Sequence, residues 1–280
     1  MWFATWEGLS RYDGYEFKVY KQERGNPNSP GGSAFFALHE DRQGVIWAGS
    51  QGGGGLSRFD PTTEQWTRFQ HDPDDPHSLS SNNVYAILQD SSGALWIGTQ
   101  DGGLNRFEGL TEDGQGGFAH YRYDRDDPNS LGSDFAVSIY EDRSGTLWVG
   151  AVGGGLNRFD PQTETLTRYQ HNPEDLDSLS HNFVLPIYED RLGVLWVGTY
   201  GGGLNRFDRE TETFTRYQHD PDDPGSLSGN TVVDILEDPS GTLWIATFDG
   251  GLNRYRRETD SFSSYRHDSL DPRSLGSDSL

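Results

Sequence analysis

A chain of 280 residues with 44 acidic and 22 basic side chains carries a formal charge of −22, and a field of that sign repels a phosphate backbone, so nucleic acid is excluded as a partner. With no cysteine, neither a disulfide framework nor thiol chemistry is open to it. No apolar run approaches the ~18 residues of a membrane span, and Met1-Trp2-Phe3-Ala4-Thr5 lacks the basic and apolar regions of a signal peptide, so no membrane insertion is expected of this chain.

The elements follow one repeat. Trp2 opens it in mid-unit, and Gly-x-x-Trp then recurs at Gly44 to Trp47, Gly93 to Trp96, Gly145 to Trp148, Gly193 to Trp196 and Gly241 to Trp244. The period of roughly 48 residues lies in the range of propeller blades. Around each anchor the residues alternate, as in Thr146-Leu147-Trp148-Val149-Gly150, and no apolar stripe at helical spacing appears. Each unit therefore reads as four short strands. The first runs through Val84 and Ile87, or Val184 and Ile187, and stops before Asp90 or Asp190. Asp-x-x-Gly follows, Asp142 to Gly145 for example, with Asp suited to open a tight turn and Gly supplying positive φ. The second strand carries the Trp, and a Gly-Gly-Leu turn leads to a third strand, Leu-Asn-Arg-Phe-Asp at Leu156 to Asp160 and at Leu204 to Asp208. After a Thr-Glu-Thr turn the fourth reads Leu166 to Tyr169 or Phe214 to Tyr217, alternating as a half-covered outer strand does.

A four-stranded unit of this size cannot bury a core alone, so it must stack on its neighbours. Radial stacking predicts an all-β fold, a β-propeller of four-stranded blades forming one domain over residues 1–280, with five complete blades, a three-strand N-terminal blade and an incomplete or open ring. The anchors Trp47, Trp96, Trp148, Trp196 and Trp244 are expected to be buried at equivalent places as interblade wedges; the other reading of such a ladder is a stacked ligand platform. The recurrent arginines read as parts of the fold.

Ser178-Leu179-Ser180-His181-Asn182-Phe183-Val184, then Ile187 to Asp190, Gly193 to Thr199 and Gly202 to Phe207, resemble the two-component regulator propeller repeat. The resemblance covers essentially the whole chain. It implies a ligand-sensing part, periplasmic or otherwise extracytoplasmic, of a bacterial histidine kinase or related signalling protein, in some members for oligosaccharides. Since no kinase core or receiver segment follows the repeats, signalling would need a missing kinase or regulator segment or a partner. Ser274 to Leu280 matches the opening of a further blade, which predicts a fragment of a longer propeller array and self-association through an open blade edge.

No catalytic or metal motif emerges. His71, His171, His219 and His267 occupy one repeat position, and copies spread round a ring cannot meet at one metal, so they read as structural; His39, His77, His120 and His181 fall out of register without ligand spacing. Asp72-Pro73-Asp74-Asp75-Pro76 and Asp220 to Pro224 are either calcium loops or solvated turns, and they lack the Asp-x-Asp-x-Asp-Gly spacing. No catalytic residue, metal or cofactor is assigned.

The turn between strands two and three varies where its neighbours do not. It carries Trp6, Gln51, Gln100, Val152, Tyr200 and Phe248, followed by Glu7, Asp101 and Asp249 in three repeats. Aromatic rings beside amides and carboxylates are the mixture that stacks on sugar faces and bonds their hydroxyls; drift of exposed turn residues is the other reading. The function expected is a non-catalytic sensor for a small polar ligand or oligosaccharide. A scaffold for protein partners is the alternative, and a propeller lyase or hydrolase a third.

Overall fold

The structure is a computed structural model, and it describes residues 1–111 and 116–280. All regular structure among these residues is β-strand. The chain divides into two compact units, Met1–Glu141 and Asp142–Leu280.

The first unit begins with a three-stranded sheet, β1 (Trp2–Thr5), β2 (Gly8–Tyr12) and β3 (Phe17–Tyr20). The second blade is β4 (Ala34–Glu40), β5 (Ile46–Gln51), β6 (Leu56–Asp60) and β7 (Gln65–Phe69). The third is β8 (Val84–Gln89), β9 (Leu95–Thr99), β10 (Gly103–Leu110) and β11 (Gly116–Tyr121), and β12 (Ala136–Glu141) ends the unit. The second unit opens with β13 (Leu147–Ala151), β14 (Gly155–Asp160) and β15 (Thr165–Tyr169). Two blades follow, β16 (Val184–Glu189) to β19 (Thr213–Tyr217) through β17 (Leu195–Thr199) and β18 (Gly203–Asp208), then β20 (Val232–Glu237) to β23 (Ser261–Tyr265) through β21 (Leu243–Thr247) and β22 (Gly251–Arg256). Strands pair antiparallel with their sequence neighbours, so the fold is built of propeller blades, as the period predicts.

Each feature of the repeat has a local cause. Gly145 and Gly193 sit at φ 81° and 82°, the left-handed conformation that Asp-x-x-Gly needs. The Asp of that turn binds the anchor: Trp47, Trp96, Trp148, Trp196 and Trp244 donate their indole N–H to Asp41, Asp90, Asp142, Asp190 and Asp238 across 2.7–3.0 Å. A large ring is thereby buried with its polar edge satisfied. Asn105 and Asn205, in the third strand, are fully buried because each accepts a backbone N–H, from Ser80 and Ser180, and donates to Ile97 and Val197 carbonyls. The fourth-strand arginines are fold parts: Arg68 and Arg216 donate to the Ser29 and Ser178 carbonyls of the preceding loops.

The anchors are wedges between consecutive blades. Trp47 meets Phe107 of the next blade edge to face at 5.2 Å, and Trp148 and Trp196 meet Phe207 and Tyr255 in the same way. Trp47, Trp96, Trp148 and Trp196 are buried, but Trp244 is only half-buried, which corrects the expectation of five equivalent burials. Its described ring partner is Tyr265 of its own blade, whereas Trp47, Trp148 and Trp196 each also meet a ring of the next blade.

Candidate functional site

The variable turns join the loops between blades. Gly55 donates to Asn82 and Gly203 to Asn230, so the turn of one blade is tied to the loop that leads to the next. In the first unit this arrangement brings aromatic rings into a row. Trp6, largely exposed, stands edge-on to Phe36 at 4.7 Å; Phe36 lies 5.8 Å from Tyr85, and Tyr85 5.0 Å from Phe135. Gln51 joins the row by donating from Nε2 to the Tyr85 hydroxyl at 2.6 Å. Gln51 also lines a small open cavity of about 250 Å³ with Gln22, Gly31, Gly32 and Gln70. Glu7 is paired with Lys21 at 3.4 Å on the surface. Gln100 is held through its backbone N–H, which donates to the Asn83 carbonyl.

Asp101 sits at φ 63°, in the region that favours glycine, where the equivalent positions of two other repeats hold Gly153 and Gly201 at φ 76° and 86°. A side chain kept where the backbone prefers none is an observation that points toward use.

In the second unit, Tyr200 is half exposed and stacks on Phe183 at 5.2 Å with an interplanar angle of 23°. Val152 forms an isolated bridge with Phe183, and Tyr200 one with Thr231. Phe248, also half exposed, donates its backbone N–H to the Thr231 carbonyl, and Asp249 beside it is exposed. Among the described residues no ring contact joins Tyr200 to Phe248.

Phe36, Tyr85, Phe135 and Phe183 were not singled out from the sequence. They stand in or just before the first strand, next to Phe35, Val84, Ala136 and Val184, which are buried and aliphatic or aromatic. Their signal is variation: the position after that buried residue reads Phe36, Tyr85, Val137, Leu185 and Val233, and the position before it Ala34, Asn83, Phe135, Phe183 and Thr231.

The other candidates have structural partners. His71, His171 and His219 bond through Nδ1 to the Leu79, Leu179 and Leu227 carbonyls at 2.8–3.0 Å, and His267 to Leu275 at 2.6 Å. Asp72 and Asp75 accept the backbone N–H groups of Asp74 and His77 inside their own turn, and Asp220 and Asp223 those of Asp222 and Gly225. Burial works against the charge on Asp142, yet hydrogen bonds from Ser144, Trp148 and Arg209 outweigh it and hold the carboxyl down at about 2.

The two component regulator propeller family matches at residues 78–101, 130–153, 178–201 and 226–249, each running from the interblade loop to the variable turn. No curated protein matches the chain. Among solved structures, the chain is similar to the extracellular domain of a proposed hybrid two component system of B. thetaiotaomicron, at 28% identity and a TM-score of 0.77 over 99% of this chain and 34% of that one. It shares its fold with PorZ of Porphyromonas gingivalis, a surface component of the type-IX secretion system (18% identity, TM-score 0.68, 97% of this chain and 38% of that one). The fold is likewise that of virginiamycin B lyase from Staphylococcus aureus (15% identity, TM-score 0.59, 84% and 71%). The chain spans about a third of the length of the first two relatives. The four matched segments are similar to two component regulator propeller repeats, and they fall at one equivalent place in the blade architecture described above.

Proposed function

We propose that residues 1–280 act as one extracytoplasmic, non-catalytic sensor propeller whose signal passes to a two-component kinase or regulator segment, and that its ligand is a small polar molecule or oligosaccharide. The likeness at 28% identity to an extracellular domain of a hybrid two component system supports the sensor reading. The observation that carries the ligand class is the row Trp6, Phe36, Tyr85 and Phe135, with the Gln51 amide bonded to the Tyr85 hydroxyl. Rings of this kind offer apolar faces to the C–H side of a sugar, while the amide, the phenol and Asp101 offer bonds to its hydroxyls.

The test is calorimetric titration of the full chain with a panel of oligosaccharides. Binding is expected for at least one class, weakened by about 1 to 3 kcal/mol in Trp6→Ala and in Tyr85→Ala, as for aromatic anchors elsewhere. A panel without a binder, or binding that survives both substitutions together, refutes the reading.

A further inference from the structure

The second unit repeats an internal device. Arg209, just past β18, places Nη1 2.7 Å from Asp142 Oδ2, the oxygen that accepts the Trp148 indole, and Nη2 3.0 Å from Glu189 Oε1. Its guanidinium carbon lies 5.9 Å from the centre of the Trp148 ring. Arg257, just past β22, does the same one blade later, with Nη1 2.8 Å from Asp190 Oδ2 and Nη2 3.4 Å from Glu237 Oε1. In both places a guanidinium bridges an anchor carboxylate and an acid at the end of a first strand; Arg209 lies beside the anchor Trp148, and Arg257 beside the Tyr255 ring that meets Trp196.

At Asp41 and Trp47 in the first unit the carboxylate and the Trp remain, but among the described residues no guanidinium is bonded to the carboxylate; that of Arg58 lies over the Trp47 ring alone. Asp41 accepts the Trp47 indole at 2.8 Å on Oδ2 and the Gln43 and Val45 backbone N–H groups on Oδ1. The position equivalent to Arg209 is Gly109, and among the described residues no atom beyond its own chain neighbours lies within 4 Å of where its Cβ would stand. The position equivalent to Glu189 is Gln89, whose Oε1 accepts the Arg42 backbone N–H at 3.0 Å and whose Nε2 donates to the Gly93 carbonyl at 3.1 Å. In the place of the arginine there is an open cavity of about 420 Å³, lined among others by Asp41, Trp47, Arg58, Gln89, Glu108 and Gly109.

We infer that this cavity binds a ligand bearing a guanidinium group. The same oxygen that receives Arg209 in the second unit is present at Asp41, and among the described residues Asp41 makes no ion pair. A carbonyl oxygen has two lone pairs, so Gln89 Oε1 can accept a second N–H beside that of Arg42. The planar fork of a guanidinium matches this pair of acceptors as a compact ammonium does not. Of the other charged groups that line the cavity, Glu108 is bound to Arg106 at 2.7 Å, while Arg58 lies over the Trp47 ring at 5.9 Å from its centre. Two sources share the chemistry, a free small molecule and an arginine side chain of a peptide.

The experiment titrates the full chain with methylguanidinium, L-arginine and a short arginine-containing peptide, each against sodium chloride at equal ionic strength, and reads calorimetric heat and the Trp47 indole N–H resonance, assigned with Trp47→Phe. Saturable shifts of that resonance are expected with methylguanidinium; tighter binding of arginine than of the peptide identifies a free molecule, and the reverse a peptide. Gln89→Glu restores the second carboxylate seen at Glu189 and Glu237 and should tighten binding by about fivefold or more, as charge-assisted bonds do. Gln89→Leu should weaken it while leaving the Asp41–Trp47 bond in place, which keeps the test open if Asp41→Asn fails to fold. Responses equal to those of sodium chloride, or affinity indifferent to both changes at Gln89, overturn the inference.

Discussion

Trp148 donates its indole N–H to Asp142 across 2.8 Å, and the same carboxylate oxygen receives Arg209 at 2.7 Å, so one buried charge holds a ring of its own blade and a cation of the next. The Asp142 side chain has no exposure to solvent, and breaking a buried pair leaves the remaining partner uncompensated. Asp142→Asn is therefore expected to lower stability by about 3 kcal/mol. Urea denaturation followed by tryptophan fluorescence measures it; a cost below ~0.5 kcal/mol would place the carboxylate among surface pairs instead.

The same carboxyl sets an acid limit. Its value of about 2 in the folded chain lies below the ordinary 3.8, so the folded state favours the ionised form and its contribution is fully present above pH 4. That contribution, about 2 kcal/mol at most, drains away as pH falls from roughly 4 toward 2. Asp190, also depressed against its burial by Trp196, the Val194 N–H and Arg257, works in the same direction. The urea midpoint of the wild type should decline more steeply over this window than that of Asp142→Asn. Parallel curves would show that the group does not report the folding equilibrium.

Equivalent anchors differ in burial, and their substitutions should differ in cost. Trp196 is fully buried against Tyr255 of the next blade, and Trp196→Ala is expected to cost about 3 to 5 kcal/mol. Trp244 is half-buried and, among the described rings, meets Tyr265 of its own blade alone, so Trp244→Ala should cost no more than about 1 to 2 kcal/mol. Equal losses in chemical denaturation would mean that something covers Trp244 in solution.

At Asp101 stability and binding should move in opposite directions. Replacing it by Gly relieves a left-handed backbone that other repeats assign to Gly153 and Gly201, and a gain of up to about 1 kcal/mol is expected. If the variable turns hold the ligand, the same change weakens binding. Thermal unfolding and calorimetry on one variant check both signs; a variant that is more stable and binds as well as the wild type removes Asp101 from the site.

Tyr200 separates ring function from core function in the second unit. Half exposed and stacked, among the described rings, on Phe183 alone, it should cost under ~0.5 kcal/mol of stability on change to Ala, as surface positions do. Loss of oligosaccharide binding without loss of stability would join it to the ligand surface. Intact binding would leave the Tyr200–Phe183 pair a packing feature.

The repeat, its strands and its turns were legible in the chain because their causes are local or strictly periodic. Alternation around Trp148, the positive φ that Gly145 supplies and the Leu-Asn-Arg-Phe run act within a few residues, and each recurs in register. Trp244 was misjudged because burial depends on what lies against a blade, and an identical local sequence carries no record of its neighbour. The candidate turns could be chosen by their variation, yet the meeting of Trp6 with Phe36, and of Gln51 with Tyr85 34 residues away, follows from blade stacking alone. Likewise Gly109 reads in the chain as one more glycine. Only the folded position of Asp41 and Trp47, set beside Arg209 on Asp142 and Trp148, turns the missing side chain into a cavity with a definite chemistry, because packing brings together groups that are more than sixty residues apart in the chain.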